Sequence, residues 1–238
     1  KHTLISTGSF CVDRNDIYVL QCSECDLIQL SDFSHIDKSY YSSEKYVTDY
    51  IELNKMKDLS AARGREASWN KKRLGLIKSY IPDYNNMNIL DYGCGHGGFL
   101  EVGWGKFKDL VGYDVSKYYK DDALKNGWKV VNKLDDLKID PDIIVLFHVL
   151  EHLKRPWKLI SELIKNFDSL KYIIIEVPNT IEILNSVFKN EAYRKIHYSS
   201  DHLYYFTHKT LLNILSKVDV KATIRTGLQR YSIANHFG

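Results

Sequence analysis

The stretch that most limits what this chain can fold into is M-N-I-L-D-Y-G-C-G-H-G-G-F-L, residues 87–100. A short apolar run, Ile89 and Leu90, ends in Asp91. Gly93, Gly95, Gly97 and Gly98 follow within six residues, and Phe99 and Leu100 begin a helical pattern. The order is strand, glycine turn, helix. Glycine lets a backbone turn tightly and lets a ligand lie against it with no Cβ in the way. Gly93, Gly95 and Gly98 satisfy the dinucleotide spacing G-x-G-x-x-G. Asp91 argues against a pyrophosphate there, because a carboxylate repels it and suits a cationic or hydroxyl-bearing ligand instead.

Beyond this turn, short apolar strands alternate with helical segments. Strands are expected at 110–113, 128–131, 143–147 and 172–177, and helices at 99–107, 117–126, 156–167, 181–189 and 210–217. A last pair of strands is expected at 221–226 and 231–234. That alternation predicts an α/β fold: a mostly parallel, Rossmann-like sheet with helices on both faces. Ligands in such sheets bind at the carboxyl ends of strands, near the switch point. Asp91, Asp114 and His148 all fall at strand ends. Asp114 follows the second strand, nineteen residues after Gly95, near the spacing at which an acid accepts ribose hydroxyls. A ribose held by Asp114 together with a cation beside Asp91 describes S-adenosylmethionine better than NAD.

The 238 residues suit one α/β domain with a small appendage. We expect an N-terminal appendage over 1–50 and the main domain over 51–238. In the appendage, 17–20 and 27–30 read as a hairpin around Cys22-Ser-Glu-Cys25, a knuckle-like turn. A zinc ribbon there needs four ligands; Cys11 is the nearest additional thiol, with His2 and His35 further off. Tyr40, Tyr41, Tyr46 and Tyr50 crowd the next segment, either as a packing strip or as a lid against ligand. Residues 51–80 read as a polar helix whose Arg63, Arg65, Lys71, Lys72 and Arg73 form a solvated face, with phosphate binding as the alternative. The 33 Lys and Arg against 30 Asp and Glu leave a net charge of +3, too mild to argue for nucleic acid or a membrane surface. No apolar run reaches membrane-spanning length, and no signal peptide is expected. Four cysteines, one inside the glycine turn, fit a reducing, cytoplasmic setting.

At this point the sequence resembles the class I S-adenosylmethionine-dependent methyltransferases. D-Y-G-C-G-H-G-G-F-L is similar to their first motif and G-Y-D-V-S to their ribose-binding second. P-D-I-I-V-L-F-H-V-L-E-H-L, E-V-P-N and D-H-L-Y-Y-F-T resemble later motifs of a large subgroup, in the same order over about residues 85–215. The resemblance implies seven strands with the last antiparallel. It implies cofactor contacts at Asp91, Gly93, Cys94, Gly95, Asp114, Val115, Leu134 and Phe147, with the adenine edge near Lys133, Leu134 or Asp135. The C-x-x-C followed by Y-Y, and the ending Q-R-Y-S-I-A-N-H at 229–236, are similar to methyltransferases of sugar and capsule clusters. Those often carry two cysteine pairs; this chain has one. The implied substrate is a hydroxyl of a sugar or nucleotide-sugar in surface polysaccharide biosynthesis.

A sugar hydroxyl has a pKa far above neutral, so methylating it calls for a base or a metal. His148, Glu151 and His152 stand at i, i+3 and i+4, and share a face if a helix starts where the fourth strand ends. H-x-x-E-H is metal-ligand spacing, and His202 offers a fourth group. The set resembles the metal site of plant small-RNA 2′-O-methyltransferases and of ubiquinone-pathway O-methyltransferases, with His148 where those have an acid. The candidate catalytic groups are therefore His148, His202 and Glu151, and the candidate metal ligands His148, Glu151, His152 and His202. Asp201 stands beside His202 and could orient its imidazole. His197, Arg194 and Lys195 could meet nucleotide-sugar phosphates. The competing readings are a metal-dependent RNA 2′-O-methyltransferase, a non-catalytic S-adenosylmethionine-binding partner protein, and an NAD-dependent reductase. The first of these needs a basic groove that a charge of +3 does not promise.

Overall fold

A computed structural model describes residues 2–37, 39–179, 198–218 and 220–225. The expected helix at 181–189, the strand at 231–234, the 229–236 ending and the cations at 194, 195 and 197 lie outside the described residues. Packing divides the chain into two units. One comprises Lys1–Ile36, His148–Lys165 and Glu176–Gly238; the other comprises Asp37–Phe147 and Asn166–Ile175. The first 36 residues thus share a unit with two later segments, whereas the sequence reading drew its boundary at residue 50.

The unit from Asp37 holds the parallel sheet. Its strands are β4 (Asn88–Tyr92), β5 (Asp109–Tyr113), β6 (Lys129–Val131), β7 (Ile143–Phe147) and β8 (Tyr172–Glu176). Their spatial order is β6-β5-β4-β7-β8. β4 runs parallel to both β5 and β7, with Asp91 level with Gly112 on one side and Val145 on the other. The order reverses between β4 and β7, so the turn after β4 lies at the switch point. Ile143, Ile144, Val145 and Leu146 are all fully buried, which is why β7 reads as an unbroken apolar run rather than an alternation. The helices here are α1 (Glu44–Leu53), α2 (Leu59–Tyr80), α3 (Gly98–Gly103) and α4 (Lys117–Lys125). The core packs Leu74, Ile77 and Ile81 from α2 and its end with Ile89, Phe99, Leu100, Leu110, Trp128 and Val145.

The single helix expected over 51–80 is two helices. α1 is capped by Ser43, whose hydroxyl accepts from the Tyr46 amide, and α2 by Asp58, whose carboxylate accepts from the Ala61 amide. Lys55, with φ +52, breaks the chain between them. α2 is also less solvated than its charges suggested. Arg63, Asn70 and Arg73 are buried along with Ala62, Trp69, Leu74 and Ile77.

The other unit holds an antiparallel sheet of β1 (Leu4–Phe10), β2 (Tyr18–Cys22), β3 (Ile28–Leu30) and β9 (Tyr204–Tyr205), in that order. The expected hairpin is β2–β3, with Leu20 opposite Gln29. β1 was not foreseen. Its polar alternation and largely exposed side chains give little hydrophobic signal, as suits an edge strand. Helix α5 (Pro156–Asn166) starts on proline, the residue favoured at the first helical position. Helix α6 (His208–Leu215) carries a capping box between Thr207 and Thr210. Residues 221–225 form no strand, so the parallel sheet has five strands among the described residues. No helix among them is long and apolar enough to cross a membrane.

Candidate active site

The turn after β4 is built on its glycines. Gly93, Gly95 and Gly97 have φ of +78°, +50° and +81°. The amides of Gly93 and Cys94 both donate to the Tyr113 carbonyl, at 2.7 and 3.0 Å, which ties the turn to the end of β5. A Cβ on Gly95 would meet nothing within 4 Å, so this turn faces open space. A Cβ on Gly97 would lie 2.7 Å from the Trp128 ring.

Asp114 answers the turn from the end of β5. Its Oδ2 accepts from the Gly95 amide and its Oδ1 from the Ser116 amide, each at 2.9 Å. Burial nonetheless lifts its carboxyl above the ordinary range. Asp91 is wholly buried one strand over. Burial pushes it up to about 7, while Arg73 pulls it down and Asp114 pushes it further. Cys94 turns its thiol inward, 2.7 Å from where a Gly112 Cβ would stand, so its backbone rather than its sulfur belongs to the turn. Val115 is exposed after Asp114. Leu134 begins a short 3-10 turn after β6. Phe147 ends β7, packed edge-on against Phe99 at 5.1 Å and beneath the Arg73 guanidinium at 4.5 Å.

α2 braces this turn, and the sequence reading missed it. Arg63 donates to the His96 carbonyl at 2.9 Å and to Asp122 at 2.6 Å, with its guanidinium 5.2 Å above the Trp128 ring. Glu66 approaches His96 Nε2 at 3.4 Å. Tyr50 stacks on the His96 ring at 6.1 Å. Tyr40, Tyr41 and Tyr46 pack on one another, with centroids 4.8–5.4 Å apart. The sequence of α2 carries almost no amphipathic signal, because Arg63, Asn70 and Arg73 occupy positions on its buried face and only tertiary contacts show them buried.

In the other unit the histidines and carboxylates meet, but not as one helix face. Residues 150–152 form a single 3-10 turn, and α5 begins only at Pro156. His148 lies outside that turn, with φ +57°. Its Nδ1 is 3.1 Å from Glu151 Oε1 and its Nε2 is 3.1 Å from Glu176 Oε1. Burial opposes its charge, but the hydrogen bonds to Glu151 and Glu176 override that and push the imidazole up to about 9. Both ring nitrogens of His148 thus face carboxylates, which favours its protonated form. Glu176 had no spacing signal, since it pairs with His148 across 28 residues.

Glu151, His152 and His202 do come together. One ligand atom from each lies within 4.8 Å of the other two. Glu151 is fully buried, and its Oε2 has no hydrogen-bond partner among the described residues. Burial would raise its carboxyl, but His148, His152 and His202 hold it below the usual range. His152 Nδ1 donates to the Asp201 carbonyl at 2.7 Å. Burial keeps His202 below its ordinary value and therefore neutral. Two imidazoles and one carboxylate are a donor set that suits a divalent cation.

With this geometry in view, comparison with known proteins decides the family. Residues 62–223, about two thirds of the chain, match the family model described as a methyltransferase domain. The chain belongs to that family. It is an S-adenosylmethionine-dependent methyltransferase of class I. Among solved structures, magnesium protoporphyrin IX methyltransferase (ChlM) from Synechocystis PCC 6803, with bound S-adenosylhomocysteine, is similar at TM-score 0.54 and 14% identity. That match covers 76% of this chain and 86% of the other. The plantazolicin methyltransferase BpumL in complex with S-adenosylhomocysteine is similar at TM-score 0.51 and 17% identity, over 76% of this chain and 72% of the other. At such identities these likenesses establish the fold. No curated protein sequence matches the chain.

Proposed function

We propose that this methyltransferase acts on a hydroxyl of a sugar-containing small molecule, such as a nucleotide-sugar used in surface polysaccharide biosynthesis. The resemblance of its C-x-x-C, Y-Y and Q-R-Y-S-I-A-N-H segments to sugar-cluster methyltransferases supports the substrate class. The observation that carries the chemistry is the cluster of Glu151, His152 and His202, with the buried Glu151 Oε2 left without a partner among the described residues.

In this reading the amides of Gly93, Cys94 and Gly95, already bonded to the Tyr113 carbonyl and to Asp114, hold the turn in shape, and the open face of Gly95 receives the methyl donor. Asp114, already fixed by two amides, keeps lone pairs for ribose hydroxyls. Asp91 faces the donor's positive end, while Val115, Leu134 and Phe147 supply the apolar surround. Bound S-adenosylmethionine supplies a methyl carbon made electrophilic by its sulfonium. Glu151, His152 and His202 would hold a divalent cation, whose contribution is to lower the pKa of the acceptor hydroxyl. His148 stays protonated between Glu151 and Glu176 and acts as a strut that aims Glu151, not as the base.

The neutral state of His202 favours one alternative, in which His202 takes the hydroxyl proton directly with no metal. Labelled-methyl transfer to a panel of nucleotide-sugars, with and without a strong chelator, separates the two. Loss of turnover on chelation and recovery with a divalent cation is the expected outcome. Full turnover under chelation hands the role to His202 as base. Transfer to RNA or peptide but to no sugar overturns the substrate reading.

A further inference from the structure

The methyl-transfer chemistry leaves the knuckle at Cys22–Cys25 unused. The chain leaves β2 at Cys22, turns through Ser23, Glu24 and Cys25, and enters β3. The Cys22 amide donates to the Leu27 carbonyl at 2.9 Å and the Asp26 amide to the Cys22 carbonyl at 3.0 Å. Asp26, at φ +64°, closes the turn. The N-terminal segment wraps this turn. The Ser23 amide donates to the Thr3 carbonyl at 3.0 Å, and the Thr3 amide donates to both Glu24 carboxylate oxygens, at 3.1 and 2.9 Å. That wrapping delivers His2 to the two sulfurs.

The resulting contacts have the dimensions of a coordination shell. His2 Nδ1, Cys22 Sγ and Cys25 Sγ lie within 4.8 Å of one another, and both thiols are free. His2 Nδ1 is 3.3 Å from Cys22 Sγ. Zinc at about 2.3 Å from sulfur and about 2.1 Å from nitrogen would set those two atoms about 3.6 Å apart in a tetrahedron. Glu24 Oε2 is 3.1 Å from Cys22 Sγ and 3.6 Å from His2 Nδ1, so a carboxylate oxygen completes a triangle of similar edges. Two thiolates and an imidazole are soft and borderline donors. They select zinc over magnesium or calcium, which take oxygen.

We propose that His2, Cys22 and Cys25 form a zinc site that fastens the N-terminal segment to the β2–β3 knuckle, with Glu24 beside the remaining coordination position. Binding deprotonates Cys22 and Cys25, and the two protons leave to solvent; no electron transfer is involved. The site uses none of the glycine-turn residues and none of Glu151, His152 and His202, so it stands or falls independently of the acceptor chemistry.

The test is zinc content of the full-length chain purified under reducing conditions, read with a chromogenic chelator after thiol modification. The expected value is about one zinc per chain from this site. Cys25→Ser and His2→Ala should each lower the content by at least about fivefold, because each removes one of the three ligand side chains named here. His2 is exposed and lies outside β1, so His2→Ala leaves the sheet intact. Unchanged zinc in both variants would place the metal elsewhere and overturn the proposal. So would a wild-type chain that neither carries zinc nor takes it up on titration. A Cys22–Cys25 disulfide found under the same reducing conditions would overturn it as well.

Discussion

Asp91 should destabilise the folded chain at neutral pH, and replacing it should reveal this. The carboxyl is wholly buried in β4 and titrates near 7 in the folded state, against 3.8 ordinarily. Below pH 3.8 the group is protonated in both the folded and the unfolded chain, and it adds no pH dependence. Between 3.8 and 7 the unfolded chain has released a proton that the folded chain still holds, so stability falls as pH rises. Above 7 the full cost is present, about 4 kcal/mol from the separation of the two values. Asp91→Asn keeps the shape and removes the titration. Urea unfolding of both proteins at pH 5 and pH 8 should show the variant gaining on wild type by about 2–3 kcal/mol between those conditions. The same variant should bind S-adenosylhomocysteine more weakly, a trade of function for stability. An equal difference at the two pH values, or a variant less stable than wild type at pH 8, would refute the reasoning.

Three further outcomes follow from the same geometry. Gly97→Val places a Cβ 2.7 Å from the Trp128 ring at φ +81°, so it should lower stability by about 3 kcal/mol and be visible as a lower Tm. Arg63→Ala removes the bonds to the His96 carbonyl and to Asp122 from a nearly buried site, and denaturant unfolding should register a loss of about 2–3 kcal/mol. Glu151→Gln should leave S-adenosylhomocysteine affinity within about twofold in calorimetry while methyl transfer drops at least about a hundredfold.

The parallel sheet was legible because buried strands write themselves as short apolar runs. Ile143–Phe147 was expected and found at the same residues, and β4, β5 and α4 within one or two. The glycine turn was legible for a different reason: three left-handed glycines in five residues have few other uses. What stayed hidden depends on partners distant in sequence. Arg63 and Arg73 read as solvated until α2 was seen to bury its polar stripe against the glycine turn. His148 was expected on a helix with Glu151 and His152, but the segment makes one 3-10 turn and then waits for Pro156. The partner that fixes its charge, Glu176, arrives from β8. His202 was found by its residue type beside an acid, and its approach to His152, with ring centroids 4.8 Å apart, is a tertiary fact.

In the proposed function the methyl donor lies at the turn after β4, with Asp114 as its ribose contact. Isothermal titration of S-adenosylhomocysteine into wild type and Asp114→Ala measures this directly. We expect saturable binding to one site in the wild type and at least about a tenfold loss, some 1.4 kcal/mol, in the variant. Equal affinity in the two proteins would contradict it.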